Sequence, residues 1–380
     1  MLSKFDKTFW LGVATLVGGT IGVGVYGLPF TFQKSGFLVG LLFLVGIGGL
    51  MLLTSLLYGE VVLRTHERHQ LIGYTRKYLG PTLEKINLFT FILSVYGALI
   101  GIIIINGGFL ANVLSGWLRF SSTSWSTIFV IIAAILIFRG LKTISKIDFF
   151  MMVIFVSVVL LLGLWGARQI NISNFTFAVK DFWFLPFGVV MFALNGISGV
   201  PLAREVMIGR ENKLKRAIVV GTLITAFIYL IFAGIVLGIS GDGTSPDAIS
   251  GLLIPLGAGA VFVGSLLGLM TSSTIFLNLG AGLRQSFQED FHFGHRWAWL
   301  LAVLPPYILY LSGIRNFIDI ISLVGGLAVS IEMIILIFIY ASARKNGDRI
   351  PEYSIRLPMP LIYVMMLIFA AGAFYTLIVK

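Results

Sequence analysis

The 380-residue chain has no cysteine. That excludes disulfides, thiolate nucleophiles and Cys-ligated zinc or iron–sulfur centres. Charge is also scarce: Asp, Glu, Lys and Arg make up 11% of the residues, where soluble domains carry about a quarter. A long chain so poor in charge cannot cover a water-facing surface, so lipid must be the solvent for most of it. Acidic residues are the scarcer kind, 16 against 27 Lys and Arg, for a net charge of +11. In a soluble domain that surplus points to nucleic acid. Here the basic residues fall in short stretches between apolar runs, so membrane orientation accounts for them and no nucleic-acid partner is expected. The sequence lacks a Walker phosphate loop, a His-Glu-x-x-His zinc motif and a nucleophile elbow. With no polar catalytic cluster either, no enzyme and no organic cofactor is expected. The four histidines, His66, His69, His292 and His295, all fall between apolar runs, where neither a metal site nor a proton relay is expected.

Apolar sequence is abundant, at 58% of the residues, with mean hydropathy +0.99. The first apolar run begins near Phe9 and passes Pro29. It is too long for a signal-peptide core and lacks a small-residue cleavage site, so it reads as a retained span. A span needs about 20 mostly apolar residues. Eleven candidates follow: Thr8–Phe32, Phe37–Leu63, Leu83–Leu118, Ser126–Phe138, Ile147–Ala167, Phe182–Val206, Leu214–Ile239, Leu253–Phe287, Trp297–Leu311, Phe317–Ala341 and Leu357–Val379. The fourth and ninth are short. The third and eighth are long enough to tilt or project beyond the bilayer.

With the N-terminus placed in the cytoplasm, 21 of the 27 lysines and arginines fall on the inner side and 6 on the outer. Lys4, Arg64–Lys85, Arg204–Arg216 and Arg344–Arg356 contribute most of the inner charge. This is the bias of the positive-inside rule. An even number of spans would put it out of phase, so eleven is favoured and the C-terminus is expected outside. No loop is long enough for a soluble domain. The longest inner one, Arg64–Lys85, has room for a short interfacial helix. The expected organisation is one membrane domain, residues 1–380, in the cell membrane.

Two spans are interrupted in the same way. The first carries Gly18, Gly19, Gly22, Gly24 and Gly27 and then Pro29; the sixth carries Asn195, Gly196, Gly199 and Pro201. Each glycine costs a helix about 1 kcal/mol against alanine, and proline about 3. In lipid that cost is tolerated where the freed backbone groups find partners or line a cavity. The breaks lie five spans apart, one entering from inside and the other from outside. That pattern is an inverted repeat, 8–167 and 182–341, with 357–379 as an extra peripheral helix. Paired interrupted segments at matched positions point to a transporter binding site.

Gly19-Thr20-Ile21-Gly22-Val23-Gly24 followed by Leu28-Pro29 resembles the first-helix signature of the amino acid/auxin permease family, within the amino acid–polyamine–organocation superfamily. Phe192–Gly196 leading to Pro201 and Arg204-Glu205 is similar to that family's sixth helix. The resemblance implies an all-α membrane protein with the five-plus-five inverted-repeat fold of the leucine-transporter type. It also implies amino-acid substrates.

A zwitterionic amino acid needs N–H donors for its carboxylate and carbonyl acceptors for its ammonium. The two ends of an unwound helix supply both. The expected substrate residues are therefore Thr20, Ile21, Gly22, Val23 and Gly24 facing Phe192, Ala193, Leu194, Asn195 and Gly196, mostly through backbone atoms. Asn195 also offers a polar side chain, for substrate or for a helix–helix hydrogen bond. Asn106 in span three has the same two options. Span eight carries Thr271-Ser272-Ser273-Thr274. By resemblance to sodium-coupled members, Gly268, Thr271 and Ser272 match the spacing of a sodium site completed by carbonyls of Gly18 and Ile21. The same hydroxyls serve equally as bonds to their own i−4 carbonyls. Glu332, mid-way along span ten, is the candidate for a coupling proton, although it is expected to sit away from both broken helices and to need a relay. These residues describe a monomeric, cation-coupled amino-acid permease working by alternating access, with sodium slightly preferred to a proton. The competing reading is an amino-acid-sensing receptor subunit of the same fold, like those of germinant receptors.

Overall fold

The computed structural model describes residues 6–114, 117–118, 120–139, 145–177, 181–289 and 291–378, without the side chains of 145–152 and 289. Lys4, Arg119, Lys142, Lys180 and Lys380 of the basic tally lie outside the described residues, as do the Lys146 side chain and Val379. The described residues form helices and no strand.

The first expected span is two helices, α1 (Lys7–Thr20) and α2 (Leu28–Ser35), joined by a 3₁₀ turn at Val23–Gly27. The two halves meet at 56°. α3 (Phe37–Leu63) follows, then the short α4 (Leu71–Leu79) inside the Arg64–Lys85 stretch. α5 (Pro81–Leu114), α6 (Ser122–Arg139) and α7 (Ser145–Trp165) complete the first half of the chain. The sixth expected span is again two helices, α8 (Leu185–Ala193) and α9 (Gly199–Val206). Then come α10 (Leu214–Ser240), α11 (Leu253–Glu289) and α12 (His295–Leu311). α13 (Phe317–Leu323) and α14 (Ser330–Asn346) flank a π-helical turn at Val324–Val329, and α15 (Met359–Ile378) closes the chain.

Among the described residues, seven helices are long and apolar enough to cross a membrane, and the bent α1–α2 pair is an eighth candidate. Four expected spans fall short of that test for identifiable reasons. Breaks divide the first and sixth. α12 is 17 residues long and contains Pro305 and Pro306. Of α7, the fully described apolar part is Val153–Trp165. The length expected of spans three and eight is real: α5 has 34 residues and α11 has 37, the latter kinked where Gly257 takes φ 80°.

The outward faces are as apolar as the core. Leu42 and Val45 on α3, Ile131 and Ile132 on α6, Leu160 on α7 and Leu367 on α15 are all exposed. A helix of a water-soluble domain turns a polar face outward. Helices greasy on every side belong in lipid, and the chain is a multi-pass membrane protein.

The basic stretches collect at one end. Arg204 at the end of α9 donates to the Val62 and Thr65 carbonyls, the latter at 2.9 Å. These are the free carbonyls of the α3 C-terminus, where a cation is favoured. Glu60, fully buried, accepts from Arg64 at 2.8 Å and from the Ile355 N–H at 2.6 Å. Lys77 pairs with Asp348 at 2.7 Å. This partnership holds the Asp348 carboxyl below its usual range and raises the Lys77 ammonium. Asp6 bonds Lys213, which lowers the Asp6 carboxyl. Residues 6, 60–77, 204–213 and 348–355 are thus tied together. Elsewhere Gln33 donates to Asp242 at 3.0 Å and Arg315 to Thr123 at 3.3 Å, linking segments expected on the outer side.

Candidate functional site

The first break is set by backbone geometry. Ile21 leaves the helix at ψ 102°, and Gly22 is fully extended at φ −130°, ψ −166°. Helical bonding ends with the Ile21 N–H on the Val17 carbonyl, at 2.9 Å. Pro29 lies in the first turn of α2, where its missing N–H costs nothing. The second break runs from Leu194 through Ser198. There the Asn195 N–H reaches only the Phe192 carbonyl at 3.3 Å, and Gly196 bonds Leu194 at 2.9 Å. The sequence placed both unwound segments where they occur.

The breaks pack on each other through glycines. A Cβ on Gly24 would lie 2.8 Å from the Ala193 Cα, and one on Gly19 would lie 3.4 Å from the Gly199 Cα. A Cβ on Gly196 would overlap the Thr20 hydroxyl. Small residues let the two backbones approach this closely. Gly22 is different: its Cβ position meets only the Thr20 carbonyl at 3.8 Å, so space opens beside the unwound backbone. A small cavity near Thr20 is bordered by Leu16, Leu194, Gly196, Met51, Ser55 and Thr225. A second one is lined by Tyr26, Phe155, Val158, Phe232 and Leu267. The Tyr26 ring meets Phe109, Phe155 and Phe232 edge-on at 5.5–6.0 Å between centroids.

Of the expected substrate residues, Gly24 thus meets Phe192 and Ala193, and Thr20 meets Gly196. Asn106 is placed otherwise. Its Oδ1 accepts from Ser272 on α11, and its Nδ2 is buried without a partner. Thr271 Oγ1 lies 3.1 and 3.0 Å from the Leu267 and Gly268 carbonyls and 3.0 Å from the Tyr26 hydroxyl. Ser272 also donates to Gly268, at 2.6 Å. Neither hydroxyl bonds Gly18 or Ile21 among the described residues; α11 reaches the first break through Tyr26 instead.

Glu332 departs from expectation in the opposite direction. Glu332 is 4% exposed, accepts from Ser94 on α5 at 2.9 Å, and has the Asn195 side chain beside its carboxyl. Remote in sequence, it touches the second break directly. The π-helical turn just before α14 lets that helix run against α8: a Cβ on Gly325 would fall on the Gly188 carbonyl. Asn195 Oδ1 is left buried and unpartnered beside the break.

Sequence reasoning missed Tyr229 on α10. Its hydroxyl lies 2.9 Å from the Thr20 carbonyl and 3.0 Å from the Ala193 carbonyl. A signal was available: a tyrosine hydroxyl within the apolar run Ala226–Ile231 must find a partner in lipid.

Comparison with known proteins bears on this arrangement. The model of the tryptophan/tyrosine permease family matches residues 6–378. Tyrosine-specific transport system 1 of Haemophilus influenzae is 25% identical over 368 residues, with 90% of each chain covered. Tyrosine-specific transport system 2 of the same organism is 25% identical over 378 residues, covering 91% of this chain and 90% of that one. Among solved structures, the crystal structure of MhsT in complex with L-phenylalanine matches with a TM-score of 0.63 over 97% of both chains. At 13% identity, this likeness shows a shared fold.

Proposed function

This chain belongs to the tryptophan/tyrosine permease family, and from that premise we propose that it is a secondary active transporter of aromatic amino acids. Membership of the family makes it an amino-acid permease and not an enzyme. The observation that carries the finer reading is the meeting of the two unwound segments across Gly24 and Ala193. Extended backbone at Ile21–Gly22 and the non-helical turn at Leu194–Ser198 supply donors for a carboxylate and acceptors for an ammonium in one place. The Asn195 Oδ1 adds a side-chain acceptor. The aromatic lining at Tyr26, Phe155 and Phe232 and the names of the two tyrosine-specific relatives support an aromatic substrate.

The proposal keeps the eleven-span plan with a five-plus-five inverted repeat, 8–167 and 182–341, and the peripheral 357–379. It places the protein as a monomer in the cell membrane, N-terminus inside and C-terminus outside, within the amino acid–polyamine–organocation superfamily. Gathering of the basic segments at one end supports the orientation.

Transport is proposed to be driven by a cation. The geometry supports a proton at Glu332 better than sodium at Gly268, Thr271, Ser272, Gly18 and Ile21. Thr271 meets the first break through the Tyr26 hydroxyl and Ser272 meets Asn106, whereas Glu332 stands beside the second break itself. Charged groups on the helices packed against α14 are engaged elsewhere: Glu60 with Arg64, Arg76 with Glu84, Lys77 with Asp348, while Lys85 is exposed. Coupling needs ion and substrate to share one conformational equilibrium, and a carboxyl on the break meets that need without a relay.

A thermal-shift screen of the twenty amino acids, with and without sodium and at two pH values, tests this. A ligand of the folded state raises its stability by RT ln(1 + [L]/Kd). Stabilisation by L-tyrosine or L-tryptophan that varies with pH, ignores sodium and loses its pH dependence in Glu332→Gln is the expected result. Sodium-dependent stabilisation abolished by Thr271→Ala would assign coupling to α11 instead. Stabilisation by aliphatic amino acids alone would refute the aromatic specificity.

A further inference from the structure

Among the described residues, the Tyr229 hydroxyl touches both breaks and belongs to neither. It reaches the last carbonyl of α1, at Thr20, and the last carbonyl of α8, at Ala193, at 2.9 and 3.0 Å. The ring is fully buried, so the hydroxyl has no freedom to serve water instead. We propose that Tyr229 is a positioning residue, a strap that holds the two unwound segments at a fixed separation and presents the Thr20 and Ala193 carbonyls together to the substrate ammonium.

The argument is one of counting. A phenol has a single proton, and two buried carbonyls compete for it. One of them is always short of a donor, and an unsatisfied buried carbonyl is costly. An ammonium carries three N–H donors and removes that deficit. The strap therefore creates a place that favours a cationic amine, in a pair of segments that contains no acidic residue between Gly18 and Val25 or between Phe192 and Pro201. Bonding the end of α1 and the end of α8 from one side chain also ties the two segments together. This inference rests on the amino-acid reading of the site, and its test separates the two.

Tyr229→Phe removes the hydroxyl and keeps the ring. The first measurement uses the purified full chain without substrate and follows amide hydrogen exchange. Loss of the strap should speed exchange about tenfold, the worth of one hydrogen bond, in peptides covering both breaks, with α5 and α11 unchanged. Unchanged protection at either break would overturn the strap. The second compares binding of L-tyrosine with 3-(4-hydroxyphenyl)propionate, which lacks the amine. In Tyr229→Phe the preference for L-tyrosine should shrink about tenfold, because the lost contact acts on the ammonium. An equal fall in both affinities, leaving the preference intact, would mean a packing role and overturn the proposal. If the unsubstituted protein binds neither L-tyrosine nor L-tryptophan, the aromatic amino-acid reading fails, and the exchange measurement still decides the strap.

Discussion

Gly22 and Gly24 are two residues apart and play different parts. Gly22 has open space at its Cβ position, so a side chain there enters the site and not the core. Gly22→Leu should fold with near-normal melting temperature and lose L-tyrosine binding in the thermal-shift assay. Gly24 is pressed against the Ala193 backbone, with 2.8 Å between a would-be Cβ and the Ala193 Cα. Gly24→Ala forces the breaks apart and should destabilise the protein by about 1–3 kcal/mol, as overpacking does, read as a lower melting temperature without ligand. Both glycines were conspicuous in the sequence, but their difference was not, because it depends on which atoms of the sixth span lie opposite. Glu332 taught the same lesson. Its rarity at that depth was visible. Its contact with Asn195 came from the approach of α14 to the break, which no local pattern encodes.

At the scale of elements, the broken helices were legible because glycine and proline act locally, through lost helix propensity and missing donors. The seven long apolar helices were legible for the same reason: hydropathy is summed along a single segment. The π-helical turn at Val324–Val329 was not. Its residues, Val-Gly-Gly-Leu-Ala-Val, suit an ordinary helix in lipid, and the extra residue is accommodated where Gly325 meets the Gly188 carbonyl across to α8. π-turns inside helices recur at functional sites. This one sits between the helix junction and Glu332. Gly325→Ala would bring a methyl against the Gly188 carbonyl and the Phe192 N–H. The expected outcome is separation of α8 from the turn, with faster hydrogen exchange over 188–195 and weaker substrate binding, while exchange in α11 stays unchanged.

At the scale of the whole molecule, the basic segments around Arg64, Lys77, Arg204, Lys213 and Arg349 are tied to one another. The Lys77–Asp348 pair there has a pH window that can be worked out by sign. The Asp348 carboxyl is lowered from 3.8, so its contribution is present above that value and fades as pH falls through the depressed value. The Lys77 ammonium is raised from 10.5, so its contribution is present below that value and fades as pH rises through the raised one. Between pH 4 and 10, approximately, the pair should hold, and Asp348→Asn should lower the melting temperature at pH 7 by a few tenths of a kcal/mol equivalent, the worth of a partly exposed ion pair. At acidic pH the variant and the parent should converge. The two-ended arrangement, the crossed breaks and the family together describe a permease. The central claim is that the protein moves aromatic amino acids across a membrane. Uptake of labelled L-tyrosine into liposomes containing the purified chain tests it most directly. The account predicts accumulation under an imposed proton gradient, competition by unlabelled L-tryptophan, and loss in Gly22→Leu. Saturable binding of L-tyrosine with no uptake under either a proton or a sodium gradient would contradict it and make the protein a sensor.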